Sequence, residues 1–282
     1  MARILIAGCG YVGEAIADLF HEKGWEVEGW TASENSAAKF AAKPYRVRAV
    51  NVSEADAISS VRKNFEVVVL CASSSGGGVE EYRRVYLNGA QNLVRAFPSA
   101  PLIFTSSTSV YAQKNGEIVD EKSPANPTHE KGKILRVAEE VVRAHHGIVT
   151  RLGGIYGPGR SAYLRKFLSD EAIPLEDRFT NQIHRDDIAF AIFLLAERRL
   201  ELAGEIYNVV DDSAASSREI YNWLGAKLSR PISCAGKSSA PKKRGESNKR
   251  VSNGKLRALG WSPRFPTFRE AFAKSILPSF GL

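Results

Sequence analysis

Apolar residues in the first half of the chain form short runs, and the segments between them have helical spacing. Val67–Leu70 is entirely apolar, as expected of a strand buried on both faces. The predicted strands are Ile4–Ala7, Trp25–Thr31, Arg46–Val50, Val67–Leu70, Leu102–Phe104 and Ile148–Thr150. The predicted helices are Tyr11–Lys23, Ala37–Ala42, Ala55–Arg62, Glu80–Phe97 and Ile134–His145. This alternation predicts an α/β fold with a parallel sheet covered by helices on both faces, because parallel strands need crossover connections.

The regular alternation ends at Ile155. The later elements are predicted as a helix at Phe190–Arg199, a strand at Ile206–Val210, a helix at Ser217–Leu228, a loop at Ser229–Arg250 and two short helical stretches within Lys255–Ile276. We therefore expect residues 1–155 to form the main domain, with 183–212 returning to it. Residues 156–182 and 213–282 are expected to form a smaller, discontinuous C-terminal lobe that binds the substrate.

Three glycines lie between the first predicted strand and the first predicted helix, in Gly8-Cys9-Gly10-Tyr11-Val12-Gly13. Gly8 permits the tight turn, Gly10 lets the backbone approach a pyrophosphate, and Gly13 allows close packing of helix against strand. The free N–H groups of a helix N-terminus attract phosphate. The motif predicts a Rossmann-type, doubly wound sheet that binds a dinucleotide.

The end of the second predicted strand bears on which dinucleotide binds. An NAD site usually has Asp or Glu about 20 residues after the glycines, where it holds the ribose hydroxyls. Thr31 stands at the expected strand tip, and Glu28 comes too early to reach the ribose. Thr31 and Ser33 could donate hydrogen bonds to a 2′-phosphate, which favours NADP(H). Because no arginine stands beside them, NAD remains an alternative.

Length and composition narrow the class of protein. The chain has 282 residues and a mass of 30.9 kDa, which suits one large domain or two small ones. Its composition of 44% hydrophobic and 25% charged residues is typical of a globular protein and excludes the disordered and fibrous classes. No apolar run approaches the ~20 residues of a membrane-spanning helix. Cys9, Cys71 and Cys234 lack the spacing of a disulfide framework or a zinc site. We expect a soluble, cytoplasmic protein with no metal and no membrane partner.

The net charge of +8 is concentrated in one segment. Residues from Lys227 to Arg250 include eight basic side chains and one acid, so the rest of the chain carries only +1. No aromatic residues are interleaved there for base stacking, and no nucleic-acid partner is expected. Two interpretations remain: a solvated basic loop, or a rim that attracts an anionic substrate.

Motifs along almost the whole chain carry a family resemblance. They are Phe104–Tyr111 (FTSSTSVY), Arg151–Gly159 (RLGGIYGPG), Ile183–Ala189 (IHRDDIA), Gly204–Val209 (GEIYNV) and Leu259–Pro263 (LGWSP). The sequence resembles the extended short-chain dehydrogenases/reductases, a group that includes sugar-nucleotide epimerases and dehydratases. It is most similar to an atypical, nucleoside-diphosphate-sugar epimerase-like branch.

The resemblance implies a catalytic serine and a Tyr-x-x-x-Lys pair. In this family the tyrosine is the acid/base, with a pKa lowered by the lysine and the cofactor, while the serine orients the substrate oxygen. Ser107 matches the serine. The tyrosine pair does not appear in this chain, which brings Tyr111 into consideration as a group whose hydroxyl could reach the substrate.

An ungapped alignment anchored on Pro127, Gly132 and Glu139 places Lys131 at the tyrosine position and Leu135 at the lysine position. We therefore predict Ser107, Lys131 and Tyr111 as the catalytic residues.

An alternative offset of two residues gives His129-x-x-x-Lys133, which has the right spacing but breaks all three anchors.

The glycine loop, the strand ends and the resemblance together imply a set of cofactor-binding residues: Gly8, Gly10, Tyr11, Val12, Gly13, Thr31, Ala32, Ser33, Asn51, Val52, Cys71, Ala72, Ser73, Tyr86 and Ser107. Tyr156 and Arg250 are predicted to bind substrate, since the fork of an arginine pairs bidentately with phosphate or carboxylate. His184 is interpreted as structural, with Asp186 or Asp187 capping the next helix.

Two functional hypotheses follow. The first is an NAD(P)-binding oxidoreductase or epimerase/dehydratase-like enzyme that acts on a sugar nucleotide or another polar carbonyl or hydroxyl compound. The second is a non-catalytic NADP(H)-binding sensor, because the tyrosine pair is missing. A homodimer through the helices Glu80–Phe97 and Ile134–His145 is compatible with the resemblance, and a monomer is equally compatible with the residues.

Overall fold

A computed structural model describes residues 1–59, 61, 64–169, 172–175, 177–235 and 247–282. Much of the basic segment, which was interpreted either as a solvated loop or as a rim that attracts an anionic substrate, lies outside these residues, including Lys237, Lys242, Lys243 and Arg244. Its ends are described: Cys234–Ala235 and Lys249–Val251 are short strands.

The centre of the molecule is a sheet of seven parallel strands, which confirms the predicted fold class. The strands are β1 (Arg3–Ala7), β2 (Glu26–Thr31), β3 (Arg46–Ala49), β4 (Val67–Leu70), β5 (Leu102–Ser107), β6 (Ile148–Leu152) and β7 (Ile206–Val209). Their order across the sheet is β7-β6-β5-β4-β1-β2-β3. The strand order reverses beside β1, and at such a switch point open α/β sheets bind ligands beyond the carboxyl ends of the strands.

The described helices are α1 (Tyr11–Glu22), α2 (Glu34–Ala38), α3 (Ala55–Ser59), α4 (79–96, with a π-helical turn at Arg83–Asn88), α5 (Glu130–Ala144), α6 (Ala162–Leu168), α7 (Arg185–Glu197), α8 (Ser217–Lys227), α9 (Gly254–Ala258) and α10 (268–279). A 3₁₀ turn covers Thr108–Val110. The described residues also form four pairs of short strands: Gly154–Tyr156 with Gln182–His184, Phe179–Thr180 with Ala215–Ser216, Ile173–Pro174 with Cys234–Ala235, and Glu117–Val119 with Lys249–Val251.

Three hydrophobic cores follow from this arrangement. One lies between the sheet and the helices α1 and α7, and a second between the opposite sheet face and α3, α4 and α5. Because both faces are covered, β4 is apolar throughout and β1 is apolar from Ile4 to Ala7. The third core combines residues from 156–173 with residues from 215–277, which are parts of the two segments predicted to form the smaller lobe.

Two helices begin earlier than the apolar periodicity indicated. His129 Nδ1 accepts the Gly132 N–H (2.9 Å), so α5 begins at Glu130 rather than Ile134. His184 Nδ1 accepts the Asp186 N–H (3.2 Å), so α7 begins at Arg185 rather than Phe190. The first turns of both helices are polar, and histidine is an uncommon cap. The apolar periodicity of the sequence therefore did not indicate where either helix begins.

The predictions for α2 and for the cap of α7 were wrong. Helix α2 spans Glu34–Ala38 instead of Ala37–Ala42, because the Ser33 side chain caps its start. At α7 the cap is His184 itself. The Asp187 carboxylate instead accepts the backbone N–H groups of Arg264 (2.6 Å) and Phe265 (3.1 Å), and so fastens the C-terminal segment to α7.

A buried ion pair joins α5 to the sheet. Glu139 and Arg151 are 0% and 2% exposed. Arg151 donates from Nη2 to Glu139 Oε2 (2.7 Å) and from Nε to Oε1 (3.1 Å). Ser106 Oγ on β5 donates to the same carboxylate (2.6 Å), and Arg136 on α5 also pairs with it. The carboxylate is thus fully hydrogen-bonded, which a buried charge requires.

We expect Glu139→Ala to lower the free energy of unfolding by about 3–5 kcal/mol, because it leaves the buried Arg151 charge without its carboxylate. Urea denaturation measures the change. Glu140→Ala is the matched control: Glu140 lies next to it on α5, pairs with Arg136 and Arg143 on the surface, and should change stability by about 1 kcal/mol or less. Equal effects of the two variants would contradict this account of the pair.

Candidate functional site

The loop from β1 to α1 passes very close to the end of β4. The Gly8 and Cys9 N–H groups both donate to the Trp30 carbonyl (3.0 and 2.6 Å), which turns the chain sharply. Gly8 has φ +113°, and a Cβ placed on it would lie 2.1 Å from the Ala72 nitrogen. Only glycine fits this position, because both the backbone angle and the space exclude a side chain.

The other two glycines of the motif differ in their surroundings. A Cβ on Gly13 would lie 2.3 Å from the Gly8 carbonyl oxygen, so this glycine serves close packing. A Cβ on Gly10 would meet no atom within 4 Å. Gly10 therefore borders open space, although nothing in the protein's own packing near it requires a glycine.

The N-terminus of α1 has no side-chain cap, and its first helical hydrogen bond runs from Glu14 N–H to the Gly10 carbonyl. The N–H groups of Tyr11, Val12 and Gly13 are therefore available to an anion. Together with the open space at Gly10, this arrangement fits the pyrophosphate of a dinucleotide.

The Tyr11 side chain connects the glycine loop to the segment 157–160. Its hydroxyl donates to the Pro158 carbonyl (3.0 Å). The guanidinium groups of Arg160 and Arg185 lie 5.0 and 4.9 Å from the centre of its ring. Arg185 also binds Asp186 (3.0 Å). Two cations thus stand beside the first turn of α1, and they add positive potential where the phosphates are expected.

The tip of β2 carries the residues predicted to select the cofactor. Thr31 is buried, and its hydroxyl donates to the Ser33 carbonyl (3.1 Å), whereas Ala32 and Ser33 are exposed. Glu28 is buried and accepts from Trp30 Nε1 (2.9 Å) and Arg48 Nη1 (3.4 Å). Glu28 therefore faces away from the strand tip, and its contact with Arg48 holds that side chain away from the tip as well.

Asn51 is the polar residue among the candidates that follow β3, and its side chain is hydrogen-bonded to neighbouring residues. Asn51 Oδ1 accepts the Ser53 N–H (3.1 Å), and Asn51 Nδ2 donates to Glu54 (2.8 Å), which shapes the turn into α3. Val52 is buried, and its carbonyl accepts from Asn92 (3.1 Å). The second Nδ2 hydrogen of Asn51 is the group that could contact a cofactor while these bonds are kept.

The candidates after β4 line the other side of the glycine loop. Cys71 Sγ donates to the Gly8 carbonyl (3.3 Å), and burial raises the pKa of its thiol, as it raises that of Cys9 to about 12. Neither cysteine is therefore a thiolate at neutral pH, so neither is suited to act as a nucleophile. Ala72 is half-buried and Ser73 exposed.

Tyr86 lies in the π-helical turn of α4. Its ring centre is 4.4 Å from that of Tyr82 and 6.3 Å from that of Phe104 on β5. Such turns are often found at functional sites, where they reposition one side chain.

Ser107 ends β5 at the carboxyl edge of the sheet and is half-buried. Its Oγ accepts the Ser109 N–H (3.2 Å), which starts the 3₁₀ turn. Within the described residues, its hydroxyl hydrogen has no acceptor, so Ser107 can still donate a hydrogen bond to a ligand.

Lys131 is held by the loop that follows β4. Its Nζ donates to the Gly77 carbonyl (2.7 Å) and lies 5.3 Å from the centre of the Tyr82 ring. The lysine thus connects the first turn of α5 to the serine- and glycine-rich loop 73–78. Leu135, at the family's lysine position, is buried in the core beneath α5.

The alternative pair His129 and Lys133 is not brought together. His129 turns its Nδ1 to the Gly132 N–H, while Lys133 binds Glu130 (2.7 Å) on the exposed face of α5. The spacing that suggested this pair therefore has a simpler explanation, a helix cap followed by a surface ion pair.

Tyr111 is fully buried, at 0% exposure. Its hydroxyl accepts from Arg151 Nη1 (2.9 Å) and donates to Asn208 Oδ1 (2.9 Å). Burial raises its pKa, against the opposing effect of Arg151. In this structure the hydroxyl does not reach a ligand, so Tyr111 extends the Glu139–Arg151 network instead of serving as a proton donor.

Tyr156 is also buried, and its hydroxyl donates to Asp211 Oδ2 (3.2 Å). Burial raises the pKa of both groups. Its ring stacks with Phe272 in the core of the smaller lobe, so the expected contact with substrate is not open in this structure.

Arg250 is exposed, as a substrate-binding arginine must be, but its Nε donates to the Gly116 carbonyl (2.9 Å) and its guanidinium lies 5.2 Å from the centre of the Phe179 ring. Its neighbour Lys249 is buried. Interpreting this end of the basic segment as a solvated loop was therefore wrong: Lys249–Val251 is a strand, and successive side chains of a strand point to opposite sides.

Comparisons with known proteins agree with this architecture. Residues 4–209 match the model of the NAD dependent epimerase/dehydratase family. Protein YeeZ of Escherichia coli K12 is 29% identical over 239 residues, which cover 81% of this chain and 84% of that protein. A Methylobacillus flagellatus structure provisionally assigned to the same family is 29% identical, with a TM-score of 0.83 over 100% of this chain and 99% of that one.

A more distant structure shows the same fold. The dTDP-glucose 4,6-dehydratase DesIV of Streptomyces venezuelae, solved as a double mutant with NAD bound, is 20% identical, with a TM-score of 0.83 over 99% of this chain and 97% of that one. In the described part of this chain, no helix combines the length and apolarity needed to span a bilayer.

The glycine loop yields a prediction about stability. Gly13→Ala should lower the free energy of unfolding by about 1–3 kcal/mol, because its Cβ would press on the Gly8 carbonyl oxygen. Gly10→Ala should leave stability unchanged within about 1 kcal/mol, since its Cβ enters open space at a negative φ. Urea denaturation of both variants measures the difference. Equal destabilisation would show that Gly10 is also packed.

Proposed function

Since the chain belongs to the NAD-dependent epimerase/dehydratase family, we propose that it binds NADP(H) in preference to NAD(H) and acts on a sugar nucleotide or another polar carbonyl or hydroxyl compound. The observation that carries the binding proposal is the uncapped N-terminus of α1, which faces the open space at Gly10. A helix that leaves its first N–H groups unbonded is suited to a phosphate ligand.

The preference for NADP(H) rests on the tip of β2. Of the two acids in this strand, Glu28 is buried against Trp30 and Arg48, and Glu26 pairs with Arg3 at the far end of the strand, so neither carboxylate opposes a 2′-phosphate at the tip. Ser33 is exposed beside the tip, and its hydroxyl could turn to a 2′-phosphate by giving up the hydrogen bond that it donates to Ser36 Oγ (3.1 Å). Against this preference, the similar Streptomyces structure contains NAD, and Arg48 is held by Glu28.

The chemistry proposed for this chain divides between its own residues and the cofactor. A bound nicotinamide would supply hydride transfer to or from a carbon of the substrate. Ser107 would donate its free hydroxyl hydrogen to the reacting oxygen and orient it. Lys131 would move a proton at that oxygen with one of the two Nζ hydrogens that are not donated to the Gly77 carbonyl. Tyr111 would act at a distance, by holding Arg151 and Asn208 in place.

A second candidate function is a dinucleotide sensor without turnover. One observation favours it: the position of the family's lysine is the buried Leu135, and the Lys131 ammonium at the tyrosine position is already bonded within the protein. Binding would then be retained while the acid/base pair is absent.

The binding proposal is tested by thermal shift with NADPH, NADP, NADH and NAD. A dinucleotide at 100 times its Kd should stabilise the fold by about 2.7 kcal/mol, which corresponds to a rise of several degrees in Tm. Gly10→Ala should abolish the rise, because its Cβ takes the space of the ligand, while the Tm of the free protein stays the same. No shift for the native protein with any dinucleotide would refute the proposal.

Cofactor selection has its own test. Thr31→Asp should reverse the preference and weaken NADP(H) relative to NAD(H) by about tenfold or more, because a carboxylate at the strand tip holds ribose hydroxyls and repels a 2′-phosphate. Thr31→Val is the neutral control. If the native protein already prefers NAD(H), the assignment of NADP(H) fails while dinucleotide binding stands.

Turnover separates the enzyme from the sensor. We expect a panel of sugar nucleotides and polar carbonyl compounds to give product, with kcat lowered about 10²-fold or more by Ser107→Ala and by Lys131→Ala. Lys133→Ala on the exposed face of α5 is the control and should retain full activity. Product analysis is required besides cofactor absorbance, since an epimerase is redox-neutral. Dinucleotide binding with no product from any substrate would favour the sensor.

A further inference from the structure

The serine- and glycine-rich loop of residues 73–78 follows β4 at the carboxyl edge of the sheet. It begins beside the glycine loop, because the preceding residue, Ala72, is the one that a Cβ on Gly8 would strike. It ends at the start of α4, where the Lys131 ammonium on α5 donates to the Gly77 carbonyl (2.7 Å). The loop therefore connects the expected dinucleotide site with a predicted catalytic lysine.

This loop has few attachments. Its other hydrogen bonds run within the loop or into α4: the Gly77 N–H donates to the Ser74 carbonyl (2.8 Å), and the Ser75 N–H donates to Ser73 Oγ (3.2 Å). Ser74 is the one buried residue of the six. Within the part of the chain that the structure describes, the bond from Lys131 is the hydrogen bond that joins the loop to an element distant in sequence.

The turn in the loop is unfavourable for the backbone. Ser75 has φ +49°, and Gly76 has φ +87°. A left-handed φ is uncommon for a residue with a Cβ, and it costs free energy unless the surrounding structure enforces it. Since the remaining hydrogen bonds of the loop are local, the bond from Lys131 contributes much of what holds this conformation.

Lys131 is suited to hold such a loop reversibly. Its ammonium lies 5.3 Å from the centre of the Tyr82 ring while it donates to Gly77. A hydrogen bond from a charged donor is stronger than one between neutral groups, so it can keep a short loop in place. One such bond is also weak compared with the stability of a whole domain, so the loop can open without unfolding of the protein.

We propose that the 73–78 loop is a lid over the candidate site and that Lys131 holds it closed. The inference rests on the proposed function in one respect, namely that a dinucleotide occupies the space beside the glycine loop. An open lid would admit the ligand, and a closed lid would slow its release. Lys131 is then a positioning residue in addition to its predicted catalytic role, because one Nζ hydrogen holds the loop and two remain.

Limited proteolysis of the ligand-free protein with subtilisin tests the role of Lys131, with the cleaved bonds identified by mass spectrometry. Lys131→Met should be cut within 73–78 about tenfold faster than the native protein, because cleavage follows the population of the open loop. Lys131→Arg should be cut at close to the native rate, since a guanidinium also donates to a carbonyl. Lys133→Met, which removes a surface lysine of the same helix, is the matched control and should keep the native rate.

The Tm of each variant separates the opening of the loop from a loss of overall stability. Lys131→Met should keep the Tm of the native protein within about 3 °C, because only the loop is released. Equal rates of cleavage in Lys131→Met and the native protein would overturn the inference. Faster cleavage that comes with a large fall in Tm, or with new cuts throughout the chain, would overturn it as well.

The covering of the site is tested with NADPH or NADH, whichever binds more tightly, by following the loss of its fluorescence on displacement. Lys131→Met should release the dinucleotide about tenfold faster than the native protein, and Lys131→Arg should release it at close to the native rate. Unchanged release from a variant whose loop is cut faster would show that the loop is not a lid.

The outcomes separate this inference from the proposed function. Dinucleotide binding with no effect of Lys131→Met on cleavage or release would reject the lid and leave the cofactor proposal intact. A protein that binds no dinucleotide would refute the cofactor proposal, whereas faster cleavage of Lys131→Met would still establish that Lys131 holds the loop closed.

Discussion

The buried pair of Glu139 and Arg151 is the interaction on which the candidate site depends. It joins α5 to β5 through Ser106, to β6 through Arg151 itself, and to β7 through Tyr111 and Asn208. Removing one partner would leave a charge in the core, so the elements can separate only at a high free-energy cost. Because Ser107 ends β5 and Lys131 begins α5, the same pair sets where these two candidates stand relative to each other.

The three glycines of the glycine loop differ in their surroundings, so they do not all have the same role. Gly8 and Gly13 bring β1, α1 and the end of β4 so close together that no side chain fits between them. Gly10 has free space around it, and the N–H groups of the following turn have no cap. Gly8 and Gly13 therefore shape the fold, whereas Gly10 leaves room for the dinucleotide proposed above. The Tyr11 hydroxyl links this loop to residues 157–160 through its hydrogen bond to the Pro158 carbonyl.

The acid/base tyrosine that is usual in this family does not appear at its expected position in this sequence, and the polar groups near the site are arranged differently. The tyrosines nearest to the motifs, Tyr111 and Tyr156, are buried, and burial raises their pKa. A phenol in such a place neither gives nor takes a proton readily near neutral pH. Of the three predicted catalytic residues, Ser107 and the hydrogen-bonded Lys131 are the two that are not fully buried. Any turnover must therefore be driven by cofactor and substrate positioning with a weaker proton donor, or be absent.

The sequence by itself determined the strand-and-helix order, the glycine loop and the family, because each of these depends on short-range spacing or on contiguous motifs. Tertiary structure decided which polar side chains are buried. Tyr111 is buried because it meets Arg151 and Asn208, which lie 40 and 97 positions away in the chain. Lys131 bonds a carbonyl 54 positions away. Such partners have no periodic signal, since a hydrogen bond between distant segments depends on how the whole chain packs. For the same reason Lys249 could be counted among the basic residues from the sequence, while its burial appeared only once the strands had been paired.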